Sequence, residues 1–356
     1  MTANLDAPTE SFSNEVILVT GAGGSIGSSI ARQFRANCTV VLLDHSEQNL
    51  YEIDSELSSM SANPSRHVAI LGDTNDAPLL AELFEKYRPT QIFHAAAFKH
   101  VPLMEENPIA VIRNNILGTW TLAAAAIKYK ARKLVMVSTD KAADPTSIMG
   151  ATKRVAELIL SSLDSPETRM RSVRLCNVLR STGSVVPLFE RQIRTGGPVT
   201  ITHPDASRYF ISLQEATKLI FLTADLDDNT LFVPQLDAPV KILDLAKKMI
   251  AESSDSNPKP IKMVFTGLRP GEKLEERLIS SSETIQPTAE PNLRRVSGPV
   301  PTAETLRSAI NLISEKVQSR DLPSSIDAIR SLVPEYHPSE SLTALSSIHL
   351  ATTTKA

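Results

Sequence analysis

The chain has little of what would place it in several large protein classes. It carries two cysteines in 356 residues, Cys38 and Cys176. Neither stands in a metal-ligand spacing, so neither a disulfide framework nor a zinc site is expected. Sparse thiols suit a reducing compartment, and the cytoplasm is the expected location. Neither sign of charge is in excess: 37 Lys+Arg against 40 Asp+Glu leave a net charge of -3. That balance offers no basic field to a nucleic acid or an anionic membrane surface, so an anionic ligand must be held by local groups. No stretch approaches about eighteen consecutive apolar residues, so no membrane span is expected. The seven histidines show no metal-binding spacing, and no metal is expected.

What is present alternates. After a polar leader over 1–14, the β-branched run Val16–Thr20 is followed by a glycine turn, a helical pattern over Ser25–Ala36 and a second apolar run from Thr39 to Leu43. Further buried-type strands are predicted at His67–Leu71, Gln91–His94 and Lys133–Val137. Helices are predicted at Asp76–Tyr87, Pro108–Tyr129 and Gly150–Leu163. Strands apolar on both faces and separated by helices imply an α/β fold: a Rossmann-type doubly wound parallel sheet. Beyond residue 176 proline and glycine become frequent. The segment 177–338 reads as mainly a smaller substrate-binding lobe, interleaved with the end of the Rossmann domain at 15–176. The Ser/Thr-rich segment 339–356 reads as a flexible tail.

The turn Thr20-Gly-Ala-Gly-Gly-Ser-Ile-Gly27 lies between a strand and a helix, as a dinucleotide-binding turn requires. Gly21, Gly24 and Gly27 permit a tight turn, close approach to a pyrophosphate and close helix packing, while Ser25 and Ile26 open the helix whose N-terminus faces the phosphates. Asp44, at the end of the second strand, is placed to bond the adenosine ribose and would repel a 2′-phosphate. NAD is therefore expected over NADP, although His45 and Ser46 could soften that repulsion and NADP stays open. Asp73, followed by Thr74, either meets the adenine or caps the next helix. Ala95, Ala96 and Ala97 are small where a strand end passes the cofactor. His94 reads as a core histidine.

The run from Val137 to Lys153 carries the chemistry. Ser138–Lys141 stand at the carboxyl end of an apolar strand, where open α/β sheets place ligands. Met149 and Lys153 are one helical turn apart on one face.

On these residues the chain resembles an extended short-chain dehydrogenase/reductase, most closely the CapD-like nucleotide-sugar 4,6-dehydratases of polysaccharide biosynthesis. The resemblance runs from Val16 to about Leu278. It is carried by Ala95-Ala-Ala-Phe-Lys-His-Val-Pro102, Ser138-Thr-Asp-Lys141, Gly183-Ser-Val-Val-Pro187 and Gly267-Leu-Arg-Pro-Gly-Glu-Lys273, with a weaker echo at Leu332–Tyr336. It implies a UDP-N-acetylglucosamine-type substrate and a bound NAD that takes hydride from sugar C4 and returns it to C6. A base removes the C5 proton and an acid protonates the departing C6 hydroxyl.

By that resemblance Lys141 is the C5 base and Asp140 the C6 acid. Lys153 holds the nicotinamide ribose, its positive charge also lowering the proton affinity of Lys141. Thr74 and Asn115 lie with the cofactor. Met149 replaces the usual tyrosine and cannot carry a proton, which leaves the C4 hydroxyl proton to Lys141 or to a water on Thr139. Burial would favour neutral Lys141 and protonated Asp140, whereas pairing would oppose both.

Arg208 and Arg269 are expected on the diphosphate, Glu272 on the uridine ribose, and Lys99, Asn177, Ser184 and Val185 around the sugar or nicotinamide. The family pattern Arg-Phe-Gly-Asn-Val-Leu-Gly reads Arg174-Leu-Cys-Asn-Val-Leu-Arg180 here. Cys176 thus stands where glycine would admit the nicotinamide, and Arg180 would add bulk and charge beside the sugar. The family also implies a homo-oligomer. The alternatives are a UDP-sugar C4-epimerase and a catalytically silent nucleotide-binding protein.

Overall fold

The computed structural model describes residues 15–34, 38–59, 66–226, 230–253 and 260–353. The leader at 1–14 lies outside the described residues.

The apolar runs become a nine-stranded sheet. Its strands in chain order are β1 (Val16–Thr20), β2 (Thr39–Asp44), β3 (Arg66–Leu71), β4 (Gln91–His94), β5 (Lys133–Thr139), β6 (Arg169–Leu175), β11 (Leu231–Pro234), β14 (Thr284–Pro287) and β15 (Leu293–Ser297). Three short pairs lie outside it: β7 (Asn177–Val178) with β10 (Phe210–Ile211), β8 (Val199–Ile201) with β13 (Met263–Phe265), and β9 (Ser207–Arg208) with β12 (Val240–Lys241). Across the main sheet the order is β14-β15-β11-β6-β5-β4-β1-β2-β3. The strands from β3 to β11 pair in parallel, and β15 runs antiparallel to both β11 and β14.

The parallel strands are buried because helices cover both faces. On one side pack α3 (Ala77–Tyr87), α5 (Pro108–Ile112), α6 (Gly118–Lys128) and α7 (Ile148–Ser162), together with α11 (Ala303–Gln318) and α12 (Leu322–Leu332). On the other lie α1 (Ser25–Ala31), α2 (Glu47–Ser59) and α9 (Leu213–Asp225). A separate small core joins α8 (Val185–Arg194), α10 (Ile242–Glu252) and β8, forming the lobe. The short α4 (Val101–Glu106) borders the cleft described below. No helix among the described residues is long and apolar enough to cross a membrane.

Several local expectations are adjusted. β3 is the sheet's edge strand, so its side chains are largely exposed or half-buried rather than buried on both faces. The expected helix over 108–129 is interrupted by a π-helical turn at Arg113–Leu117, a feature that re-aims side chains. Asp76 caps α3 by accepting from the Leu79 N–H at 3.0 Å, so Asp73 is not the cap. Within the segment 339–356, read as a flexible tail, the described residues carry α13 (Glu340–Thr353), with Leu342 fully buried.

Candidate active site

A cleft of about 840 Å³ opens along the carboxyl ends of the parallel strands. At one end lies the glycine turn. Gly21 has φ +65°, and a Cβ there would sit 2.7 Å from the Ala96 backbone nitrogen. A Cβ on Gly27 would meet the Gly21 carbonyl at 2.0 Å. Gly24, Ser25 and Ile26 complete the rim.

Asp44 is buried, and its oxygens accept from the Gly23 and Ser46 N–H groups, each at 2.9 Å. One acceptor position on each oxygen stays available for a ribose hydroxyl. His45, Asp73, Thr74 and Ala95–Ala97 also line the cleft. Ser46 does not, and serves instead to aim Asp44.

Asn115 is buried away from the cleft. Its side chain accepts from Phe98 N at 2.9 Å and donates to Phe98 O at 3.0 Å and Thr152 Oγ1 at 3.1 Å. It fixes the segment after β4, while its neighbour Asn114 faces the cleft. Both residues lie in the π-helical turn Arg113–Leu117.

At the other end β5 delivers Thr139, followed by the 3₁₀ turn Asp140–Ala142. Asp140 is fully buried, and its Oδ1 accepts from Lys141 Nζ and Thr139 Oγ1, each at 2.9 Å. Its Oδ2 has no partner. Lys141 Nζ reaches the cleft and lies 3.5 Å from Asn177 Oδ1.

Burial pulls Lys141 toward neutrality, but the charges of Asp140 and Glu276 outweigh it and raise its pKa. Pairing therefore prevails over desolvation, and the cation that opposes it is Arg208 rather than Lys153. Gly150 makes the geometry possible: a Cβ there would lie 2.3 Å from the Lys141 carbonyl.

Met149 and Lys153 both line the cleft from α7. Burial lowers the Lys153 pKa to about 8, with Glu157 opposing. Cys176 lines the cleft too, its thiol pushed up to about 12 by burial and the nearby Asp140. Lys99, Asn177 and Ser184 are in place, and His100, unforeseen in the sequence, joins them. His94 bonds Thr20 Oγ1 and Thr119 Oγ1, and burial drops its pKa to about 3, so it is a neutral core group.

Four of the expected substrate-binding residues do not line the cleft. Arg208 spends its guanidinium on the carbonyls of Ser207, Leu274 and Lys273, at 2.7–2.8 Å. Arg269 and Glu272 bind each other, with Nε to Oε1 at 3.0 Å, and neither lines the cleft. Val185 begins α8 and packs in the lobe core. Arg180, expected beside the sugar, is exposed and pairs with Glu190 at 3.1 Å. Its φ of +59° explains the family glycine there as a backbone requirement.

Residues 17–297 match the family described as "Polysaccharide biosynthesis protein". The capsular polysaccharide biosynthesis protein CapD of Staphylococcus aureus is 46% identical over 277 residues, which are 76% of this chain and 46% of that protein. This chain therefore spans about half the length of that relative. The UDP-glucose 4-epimerase of Rickettsia rickettsii is 30% identical over 280 residues, 76% of this chain and 80% of that one. The X-ray structure of Pen from Bacillus thuringiensis superposes with a TM-score of 0.72 at 30% identity, covering 82% of this chain and 89% of that one. With the family match running over residues 17–297, the chain belongs to the polysaccharide biosynthesis protein family, on an extended short-chain dehydrogenase/reductase fold.

Proposed function

We propose that this chain is a nicotinamide-dependent nucleotide-sugar 4,6-dehydratase for surface polysaccharide synthesis, acting on a UDP-N-acetylglucosamine-type substrate. The observation that carries the reading is the Asp140–Lys141 pair, in which half-buried Lys141 lines the same cleft as the glycine turn and fully buried Asp140 stands behind it. The cleft suits a dinucleotide: any side chain at Gly21 would fill the turn, Asp44 offers acceptors, and the Lys153 amine has no hydrogen-bond partner among the described residues. When bound, NAD would supply hydride acceptance at sugar C4 and hydride return at C6.

The protein's part is proton handling. A sugar covering the pair excludes water, which disfavours both charges. One proton then crosses the 2.9 Å hydrogen bond from Lys141 to Asp140. The result is an amine and a carboxylic acid, the base and acid that elimination needs. Lys141 takes the C5 proton, Asp140 gives its proton to the departing C6 hydroxyl, and the pair returns to ammonium and carboxylate. Thr139 holds the acid through its hydroxyl. Met149 offers no acceptor for the C4 hydroxyl proton, so that proton leaves through Lys141 or a water on Thr139.

Incubation with NAD and UDP-N-acetylglucosamine in heavy water, followed by product NMR, tests the reading. Deuterium at C5 and loss of the C6 hydroxyl are expected. The Rickettsia relative supports the second reading, a C4-epimerase, for which the product keeps its C6 oxygen and gains no deuterium at C5. Binding without conversion of any UDP-sugar would instead support a silent protein. The implied homo-oligomer is part of the proposal and is checked by light scattering.

A further inference from the structure

Three parts of the cleft wall come from different elements: the glycine turn after β1, the segment Ala95–Phe98 after β4, and the face of α7 that carries Met149 and Lys153. A dinucleotide held at both ends meets all three, so its fit depends on how far apart they stand. Behind the wall one chain of hydrogen bonds joins them. Thr20 Oγ1, at the end of β1, lies 2.7 Å from His94 Nδ1, and His94 Nε2 lies 3.0 Å from Thr119 Oγ1. Thr119 donates to Asn115 O at 2.7 Å, inside the π-helical turn. Asn115 Nδ2 continues to Thr152 Oγ1 at 3.1 Å, and Thr152 donates to Met149 O at 2.8 Å. Thr20, His94, Asn115, Thr119 and Thr152 are all at most 1% exposed, so bulk water does not compete for these bonds.

Hydrogen counting fixes the direction of each bond. The Asn115 carbonyl only accepts, so it takes the single hydroxyl hydrogen of Thr119. Towards His94, Thr119 then has lone pairs alone, which puts the imidazole hydrogen on Nε2. Nδ1 is left bare and accepts from Thr20. A charged ring would strand the Thr20 hydroxyl hydrogen, and burial beside Lys153 also keeps the ring neutral. Asn115 is equally full. Its two amide hydrogens go to Phe98 O and Thr152, and its Oδ1 accepts from Phe98 N and Asn114 Nδ2, each at 2.9 Å.

Resting on the nicotinamide-dependent reading, we infer that His94 is a positioning residue for the dinucleotide: as the neutral Nε2–H tautomer it ties the strand end before the glycine turn to the π-helical turn and, through Asn115 and Thr152, sets the span between the glycine turn and Lys153. His94 does not line the cleft, and it acts through the walls that it joins. A span set in advance spares the bound cofactor the cost of ordering its own site.

Thr119→Val in the full chain keeps the shape of the side chain and removes the hydroxyl, so the His94 N–H loses its acceptor. Calorimetric titration with NAD, which needs both ends of the cleft, and with ADP, which needs only the glycine-turn end, separates spacing from general damage. The dissociation constant for NAD should rise about tenfold, the loss expected when a buried donor goes unmet, with that for ADP within about twofold. Thr119→Ser keeps the hydroxyl and should recover NAD binding to within about threefold of the wild type. Thr152→Val cuts the last link, and should show the same split even where Thr119→Val does not fold. In the wild-type chain, nitrogen NMR of isotope-labelled histidine should find His94 protonated at Nε2 alone. Equal weakening of NAD and ADP, unchanged NAD binding in a folded variant, or an Nδ1–H ring in the wild type overturns the inference. A split between NAD and ADP in a protein that converts no UDP-sugar keeps it, and overturns the dehydratase reading instead.

Discussion

Two charge clusters meet the end of β5, and they use the same residue types to opposite ends. In the first, Arg174 of β6 is fully buried and places all five N–H donors: two on Glu157, two on Glu283 and one on the Leu278 carbonyl, at 2.7–3.0 Å. Ser138 Oγ adds a 2.6 Å bond to Glu157. In the second, in the turn just past the end of β5, Asp140 and Glu276 each keep an oxygen without a hydrogen-bond partner, and Lys141 faces the cleft. The Arg174 donors have nothing left to exchange and stabilise the fold, although the Nε of neighbouring Arg154 lacks a hydrogen-bond partner; unmet carboxylate oxygens behind an open cleft can move protons. Satisfaction, rather than burial or charge, separates scaffold from chemistry here.

Asp140→Asn makes the largest expected difference. It keeps an Oδ1 acceptor but removes the acid, so kcat should fall about 10²–10⁴-fold. Unfolding free energy should change by less than about 1 kcal/mol, because the freed Lys141 still reaches water. Denaturant titration alongside turnover measures both, and a large stability loss would merge the two clusters into one kind. Arg174→Met is the mirror experiment. It takes the fork from Glu157 and Glu283 and leaves Arg154 alone to pair with both, and a loss of about 3–5 kcal/mol is expected in the same titration.

A smaller effect follows from acid. Burial works against the Glu283 carboxylate, but Arg174 and Arg154 outweigh it and lower its pKa. A depressed folded pKa gives stability that is present above the unfolded value near 4.3 and lost as pH falls through the folded value. Thermal unfolding followed down from pH 5 should therefore show an acid-dependent loss. In Glu283→Gln that dependence should be shallower, on a lower baseline. Equal slopes would mean that Glu283 does not carry its charge in the fold.

The fold was legible where its causes are local. Val16–Thr20, the glycine turn and Thr39–Leu43 announce a dinucleotide-binding half through strand periodicity and turn chemistry, and the first five strands of the main sheet lie where the apolar runs do. The return of the chain through β11, β14 and β15 was only sensed as interleaving, because pairing between residues far apart leaves no local pattern. The cleft was legible for residues at strand ends, such as Asp44 and Lys141. It was misread where a side chain had a nearer partner: Arg208 on carbonyls, Arg269 on Glu272, Asn115 on Phe98. A sequence names the donors of a guanidinium but not its acceptors. Glu276 escaped notice for the same reason, since the unmet acceptor at its Oε2 is a property of the packed structure alone.

Arg180 completes the series as a third ion pair, this time in solvent. Its side chain is 76% exposed, and that of Glu190 is 45% exposed. Such a pair contributes about 0–1 kcal/mol. The same residue holds φ at +59°, a left-handed conformation costing about 1–2 kcal/mol for a side chain with a Cβ. Glycine avoids that cost but loses about 0.5–1 kcal/mol of chain entropy on folding. The terms nearly cancel, so Arg180→Gly should alter unfolding free energy by no more than about 1 kcal/mol, in the stabilising direction if either. A loss above about 2 kcal/mol would show an exposed pair behaving like the Arg174 cluster, and the distinction by satisfaction would then have to give way to one based on charge pairing alone.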